Sequence, residues 1–370
     1  MDNKSNSYPQ VEIVEETMRE GLQIESAEIP VEDKIRLLDA ISETGVRTVV
    51  VGSFVSPKWV PQMACIDSLV EGFKPRQGVT YLAFAANQTG YERAFAYVPK
   101  LTVERERAET MCHLCDVFDR RNYNRSQADE IAGWPRIIAS ARERGVEEAC
   151  IGVGVVFGSN WLGDFSLEQA LELLERQSRL WHDAGIKVTR VSFNDAMGWN
   201  MPDQVERLVS AIVDRWPEIR TFRLHLHNTR GVAIASVYAA LKAAGPKKTL
   251  RLDAALGGMG GCPYCGNGRA AGLIPTEDLV YMLEEMGIKT GVDLDRVIEA
   301  ACLAEEIVGH PLWGHVSKAG PRPRGNRLYP MDLPFIETLE EASHFRKGPG
   351  VYADARSPWK EPIRSPARPE

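Results

Sequence analysis

Two histidines spaced two residues apart are the first feature that could do chemistry. His225 and His227 end an alternating run at residues 221–224, which is typical of a β-strand. Side chains two apart on a strand point to the same side, so both imidazoles could take adjacent positions on a metal ion. The alternative is a pair of histidines hydrogen-bonded inside a polar core, and the spacing alone leaves both open.

Two other stretches carry reactive side chains at positions where a predicted strand ends. Arg19 and Glu20 follow a strand at residues 11–15, and Cys262 follows a strand at residues 250–255. A carboxylate and two imidazoles form a mixed oxygen and nitrogen site for Mg²⁺ or Mn²⁺, with Zn²⁺ less expected. Such an ion could polarise a substrate's hydroxyl and carbonyl groups.

Arg19 and Cys262 extend this chemistry. The permanently charged guanidinium of Arg19 could stabilise an enolate oxygen, and Cys262, in the glycine loop Gly257-Gly258-Met259-Gly260-Gly261, could deliver a proton. The plain alternatives are a surface ion pair between Arg19 and Glu20 and a buried, inert thiol at Cys262.

Strands and helices alternate along the chain in a way that could bring these groups together. The pattern predicts strands at residues 11–15, 46–51, 79–85, 108–113, 150–156, 187–193, 221–228 and 250–255. It predicts helices opening at Pro30 and at Thr276, and at residues 90–97, 125–141, 166–184, 202–213 and 232–244.

Eight alternations favour an α/β fold of the (β/α)8 TIM-barrel type, with a Pro-rich C-terminal extension. Strands one, seven and eight are neighbours in a closed barrel, so Glu20, the two histidines and Cys262 can meet at its carboxyl face. The competitor is a doubly wound open sheet, which usually carries a glycine-rich phosphate loop after strand one. Arg19-Glu20-Gly21 is no such loop.

The composition of the chain limits the kinds of partner it can bind and the cellular compartment it is expected in. The 370 residues carry a net charge of -7, which argues against nucleic acid as a general partner. No apolar run approaches the roughly 20 residues that cross a bilayer, and the start of the chain resembles neither a signal nor a transit peptide. Seven cysteines in a chain without an export signal favour reduced thiols in the cytoplasm.

The C-terminal part differs from the rest. Nine of the 22 prolines follow residue 318, with one short helix expected around residues 337–345. We expect a barrel domain at residues 1–310 and an extension at residues 311–370, either an arm that wraps the barrel or a neighbouring subunit, or a disordered tail.

Five motifs together resemble one known family. They are Arg19-Glu20-Gly21-Leu22-Gln23, SFVSPKWVPQM from residue 53, HLHNTRG from residue 225, GGMGGCPY from residue 257 and TEDLVYMLEEMGIKTGVDL from residue 276. Their order along residues 11–310 is similar to that of 3-hydroxy-3-methylglutaryl-CoA lyases, which belong to the DRE-TIM metallolyases.

The resemblance implies a reaction and a set of roles. It implies that a 3-hydroxyacyl-CoA is cleaved by retro-Claisen chemistry to acetyl-CoA and a 3-oxo acid, with Mg²⁺ or Mn²⁺ bound, and we expect a homodimer or higher homo-oligomer. The implied roles are metal binding for Glu20, His225 and His227, catalysis for Arg19, Asp195, His225 and Cys262, and substrate binding for Arg19, Gln23 and Ser53.

Several positions depart from the family pattern. The lyases usually carry Asp in place of Glu20, although related synthases have Glu there. They have a glutamate in place of Val50 and an asparagine ligand in place of Leu273. Asn267, in a loop about two residues longer than usual, could supply the missing metal ligand. These changes suggest an acyl group other than 3-hydroxy-3-methylglutaryl.

Two pairs of cysteines and two other functions stay open. Cys262 and Cys265 copy the spacing of a redox dithiol, but their place after strand eight argues against dithiol catalysis and leaves a regulatory disulfide as a hypothesis. The stretch Cys112-His113-Leu114-Cys115 could bind zinc together with the first pair, but the gap between them is far beyond zinc-ribbon spacing, and barrel lining is the better interpretation. A condensing synthase of the same superfamily and a catalytically dead scaffold are the alternative functions.

Overall fold

Eight long parallel strands form one curled sheet, and the two-residue strand Ile274–Pro275 adds a ninth that pairs with the eighth. The computed structural model describes residues 7–85, 88–103, 108–265, 270–325, 328 and 339. The strands are β1 (Gln10–Glu15), β2 (Thr48–Phe54), β3 (Thr80–Ala85), β4 (Glu109–His113), β5 (Glu148–Gly154), β6 (Lys187–Asp195), β7 (Thr221–Leu226) and β8 (Thr249–Ala255). Their hydrogen-bonded order is β3-β2-β1-β8-β7-β6-β5-β4.

Helices follow the strands and cover the outside of the sheet. They are α1 (Val31–Ser42), α2 (Ile66–Gly72), α3 (Gln88–Phe95), α4 (Asp116–Asn122), α5 (Gln127–Glu143), α6 (Leu167–Asp183), α7 (Pro202–Arg215), α8 (Ala233–Ala244), α9 (Thr276–Glu285), α10 (Leu294–Val308) and α11 (Val316–Ala319). Capping boxes at Ser126 and Ser166 start α5 and α6, because each hydroxyl satisfies a backbone N–H that has no partner within the helix.

The pairing of β1 with β8 joins the first and last long strands of the barrel in one wall. Gln10 to Glu15 run in register with Thr249 to Ala254, and β7 continues the wall from β8. Within the described residues β3 and β4 do not pair directly, and the backbone N–H of Thr102 donates to the Tyr81 carbonyl at 2.7 Å beside β3. The order and curl are those of a (β/α)8 barrel, so the predicted fold is confirmed and the open-sheet alternative is wrong.

Buried apolar side chains pack in two large clusters between the barrel wall and its helices. Outward-facing residues such as Phe222, Leu224 and Leu250 are buried against the helices, while alternate residues of the same strands face the barrel interior. No helix in the described part of the chain has the length and apolarity to cross a membrane. Of the predicted helix at residues 337–345, the structure describes only residue 339.

The differences between predicted and observed elements are local. The helix predicted at residues 125–141 begins and ends two residues later, at Gln127 and Glu143, because the capping box sets its start at Ser126. The pattern did not predict α4, or the short antiparallel pair formed by Gly158–Ser159 and Gly163–Asp164 after β5. Both lie at the carboxyl face of the barrel, where the site is built.

Candidate metal centre and active-site cavity

A π-helical turn after β1 aims two charged side chains into the barrel mouth. The backbone N–H of Gly21 donates to the Glu16 carbonyl at 3.1 Å, five residues back, within the turn Thr17–Gly21. Such wide turns change the direction of side chains and recur at functional sites. Arg19 and Glu20 thereby face the interior, and the Arg19 Nη1 lies 3.1 Å from the Glu20 Oε2.

Glu20 meets both predicted histidines. Its Oε2 lies 3.2 Å from the His225 Nε2, and its Oε1 lies 2.9 Å from the His227 Nε2. The three side chains each place one ligand atom within 4.8 Å of the other two. The predicted shared face of the histidines is therefore confirmed, and their ring centroids are 5.3 Å apart.

The electrostatics of this cluster suit a bound cation. Burial opposes protonation of His225, but the carboxylates of Glu20 and Asp253 outweigh it and raise the pKa of His225 to about 10. Burial likewise acts against ionisation of Glu20, yet the two imidazoles and Arg19 hold its pKa well below the ordinary range. A divalent ion would take the place of these protons among the same donor atoms, so the residues fit a metal centre.

A second layer of polar groups fixes His225. The Asp253 Oδ2 lies 2.8 Å from the His225 Nδ1, which leaves Nε2 to face Glu20. Arg223 donates to both Asp253 oxygens at 3.1 Å and 2.8 Å and also contacts Glu16 at 3.4 Å. A carboxylate behind a ligating histidine orients the ring and makes it a better ligand.

The glycine loop after β8 carries Cys262 over the same end of the barrel. Gly260 has a φ of +98°, and a Cβ there would lie 2.9 Å from the Glu20 Cγ, so only glycine lets the loop approach so closely. Burial raises the pKa of the Cys262 thiol to about 12, which keeps it protonated near neutral pH. Cys265 is buried, and its thiol donates to the Cys262 carbonyl at 2.9 Å; both cysteines are free thiols.

One cavity of about 660 Å³ connects these groups. Arg19, Glu20, Gln23, His225, His227 and Cys262 all line it. Two other predicted site residues do not: Ser53 is buried within β2, and Asp195 lies behind His227. The Asn200 amide donates to the Asp195 Oδ2 at 2.7 Å and to the His227 carbonyl at 2.9 Å, which links the two.

The structure also shows where two of the three positions that depart from the family pattern lie. Val50 lines the cavity from β2, and Leu273 is fully buried and forms a backbone bridge with His227. Asn267, the predicted replacement ligand, lies outside the described residues. Sequence reasoning missed Asp253, and it considered His113 only as part of a possible zinc motif, since nothing in their local pattern reveals which side chain they contact.

Comparison with known proteins gives a consistent picture. Residues 10–303 match the model of the HMGL-like family. The chain is 34% identical to "Hydroxymethylglutaryl-CoA lyase YngG" of Bacillus subtilis (strain 168), over 82% of this chain and 96% of that protein. It is 32% identical to "3-hydroxy-3-isohexenylglutaryl-CoA/hydroxy-methylglutaryl-CoA lyase" of Pseudomonas aeruginosa, over 85% of this chain and 98% of that protein.

A solved structure agrees with the sequence matches. An HMG-CoA lyase from Acinetobacter baumannii, in complex with coenzyme A and 3-methylmalate, matches with a TM-score of 0.69 at 30% identity. The match covers 91% of this chain and 100% of that one.

Proposed function

Because the chain belongs to the HMGL-like family, we propose that it is a metal-dependent carbon–carbon lyase that cleaves a 3-hydroxyacyl-CoA of the 3-hydroxy-3-methylglutaryl-CoA type. The products are acetyl-CoA and a 3-oxo acid. The observation that carries the proposal is the convergence of Glu20, His225 and His227 at one cavity that Arg19 and Cys262 also line.

Glu20, His225 and His227 would hold the divalent ion, for which we propose Mg²⁺ or Mn²⁺ because one carboxylate and two imidazoles leave room for substrate oxygens. When bound, the ion supplies Lewis-acid polarisation of the substrate hydroxyl and carbonyl. Asn267 remains a proposed further ligand.

Arg19 and Cys262 act on the negative charge that develops on the substrate and on the proton that the product needs. Arg19 stabilises the enolate oxygen that develops on the thioester when the bond between C2 and C3 breaks. Cys262, protonated and mounted on the glycine loop, gives its proton to C2 and so completes acetyl-CoA. Gln23, which lines the cavity, contacts the substrate, while Asp195 and Ser53 support the site from behind His227 and within β2.

The partner of the reaction is an acyl-CoA. We propose that residues 1–310 form the lyase domain, that residues 311–370 are an extension of it, and that the protein works in the cytoplasm as a homodimer or higher homo-oligomer.

The direct test follows acetyl-CoA release from a panel of 3-hydroxyacyl-CoA esters with Mg²⁺ or Mn²⁺ present. We expect release that a chelator abolishes and that Cys262→Ser lowers by roughly 10²-fold or more, because the variant lacks the proton donor. Cys302→Ser on α10 is the matched control and should leave the rate unchanged. Absence of acetyl-CoA release across the panel with either metal would refute the proposal.

A further inference from the structure

His113 and Asp119 form a buried pair that the metal centre does not use. His113 ends β4, and its Nδ1 lies 2.7 Å from the Asp119 Oδ1 in α4, with the side chains 5% and 0% exposed. The imidazole is stacked on the Tyr123 ring at 5.2 Å and contacts the Phe118 ring at 5.1 Å. The His113 ring is therefore fixed in one orientation from three sides.

Among the described residues, the two Asp119 oxygens and the His113 Nδ1 have no hydrogen-bond partner, so the close approach of the carboxylate to the imidazole is their main polar contact. A buried carboxylate without other donors is costly, so its position is explained by the imidazole it faces. The Asp119 carboxylate faces Nδ1 at 2.7 Å, so in the neutral imidazole it favours the proton on Nδ1 and the lone pair on Nε2, on the other side of the ring.

The barrel leaves space for this ring at the level of the metal centre. A Cβ on Gly154 would lie 2.0 Å from the His113 Cδ2 and 2.5 Å from Nε2, so the imidazole occupies the place of the side chain that β5 lacks there. His113 is the register partner of Gly154 across β4 and β5, and Asn194 is the register partner of His225 across β6 and β7. Both pairs lie at the carboxyl ends of their strands. His113 also lines the cavity that contains Glu20 and Cys262.

Other proton acceptors that line the cavity in the described part of the chain are already engaged. Glu16 and Asp253 are each bound by Arg223, and Glu148 is bound by Arg220 at 2.6 Å. Glu109 begins β4, at the opposite end of that strand from His113. The side chains of His225 and His227 face Glu20 in the metal cluster.

We propose that His113, oriented by Asp119, is the general base that removes the proton of the substrate's 3-hydroxyl group. This inference rests on the proposed lyase function. The His113 Nε2 takes the hydroxyl proton, the C3–O bond becomes a carbonyl, and the C2–C3 bond breaks. Its electron pair passes to the thioester as an enolate, and Cys262 then protonates C2.

The proposed step neither gains nor loses protons over one turnover. The hydroxyl proton resides on His113 and returns to the Cys262 thiolate, so acetyl-CoA and a 3-oxo acid form with no other reactant. The charged groups around His113 are Asp119 on α4 and Glu130 on α5, with Arg125 paired to Glu130 and the Tyr123 ring packed on the imidazole. The geometry repeats the general arrangement of a base held by a third group.

The test compares His113→Gln with the wild-type protein in the presence of saturating Mn²⁺. We expect kcat to fall by about 10²-fold or more, KM to stay within about threefold, and the acid limb of the kcat profile against pH to disappear. Free imidazole should restore part of the lost rate. Asp119→Asn, which keeps the shape but not the charge, should lower kcat in the same direction.

Control variants distinguish the loss of a general base from misfolding and from a failure of the proposed lyase function. His182→Gln, an exposed histidine on α6, should behave like wild type. The amount of Mn²⁺ bound and the circular dichroism spectrum verify that each variant is folded with its metal centre intact. If His113→Gln misfolds, the dependence of kcat on pH in Asp119→Asn decides whether the inference holds. A variant with near wild-type kcat and an unchanged pH profile overturns the inference, as does a loss confined to KM. A wild-type protein inactive on every ester refutes the lyase itself.

Discussion

Asp253 is the residue on which the orientation of the His225 ring depends. It is fully buried, pairs with the His225 Nδ1 and accepts hydrogen bonds from Arg223. Burial disfavours its charged form, but Arg223 and His225 hold the pKa of Asp253 below its ordinary range. A permanently ionised carboxylate behind His225 fixes which ring nitrogen faces Glu20.

We therefore predict that Asp253→Asn weakens Mn²⁺ binding by roughly 10-fold to 100-fold, because His225 loses the partner that orients it. Competition with a chelator of known affinity measures the change. Asp203→Asn, at an exposed ion pair on α7, is the matched control and should bind Mn²⁺ like the wild type. Equal affinities in Asp253→Asn and wild type would show that the ring is fixed by other contacts.

Some site residues could be predicted from the sequence and others could not. His225 and His227 share a face because side chains on a strand alternate, and this follows from local spacing. Their meeting with Glu20 follows from the position of strands one and seven in a barrel. Asp253 and the His113–Asp119 pair depend on rotamers and on the register of distant strands, for which the spacing holds no signal.

At the scale of elements, the glycine loop is anchored by an aromatic side chain. Tyr264 packs on the Trp161 ring at 5.2 Å and on the Phe118 ring at 6.3 Å, and its hydroxyl donates to the Arg121 carbonyl at 3.2 Å. The Asn160 amide donates to the Tyr264 carbonyl at 2.5 Å. The short strand pair after β5 and the helix α4 thus hold the loop over the cavity.

We predict that Tyr264→Ala loosens this loop, so that Cys262 is alkylated by iodoacetamide several-fold faster and kcat for acetyl-CoA release falls by about 10-fold. The cause is the loss of aromatic contacts of roughly 0.5–1.5 kcal/mol each. Mass spectrometry of the labelled peptide gives the rate at Cys262.

Tyr264→Phe keeps the ring contacts and should lie close to wild type, and Tyr238→Ala, at an exposed tyrosine of α8, controls for the loss of any tyrosine. If Tyr264→Ala leaves the alkylation rate unchanged, contacts elsewhere in the loop hold Cys262 in place.

For the whole molecule, the alternation of strands and helices was enough to predict the barrel, because each unit of strand and helix is set by local periodicity. The partners of α4 and of the short strand pair were not predictable, since their role is to contact a loop more than 100 residues away along the chain. The sequence thus predicts the scaffold and the candidate metal ligands, while the contacts that hold the glycine loop come from the folded structure.

Glu15 connects the end of β1 to the turn that follows it and to the distant start of α9. It ends β1, its Oε1 accepts the backbone N–H of Thr17 at 2.8 Å, and its Oε2 accepts the Thr276 hydroxyl at 2.5 Å at the start of α9. Burial raises the pKa of Glu15 to about 7 from the ordinary value of 4.5. The folded protein therefore binds the proton more tightly than the unfolded chain does.

A raised carboxyl pKa stabilises the fold below about pH 4.5, and this contribution is lost as the pH rises through about 7. A difference of this size corresponds to about 3 kcal/mol. In Glu15→Gln, which does not titrate, we expect the free energy of unfolding relative to wild type to rise by about that amount over this range and to stay level above it. Urea denaturation at a series of pH values measures it, with Glu12→Gln, at an exposed position of β1, as the control. Parallel curves for Glu15→Gln and wild type would show that Glu15 ionises in the folded barrel as easily as in the unfolded chain, and that the hydrogen bonds from Thr17 and Thr276 fully offset its burial.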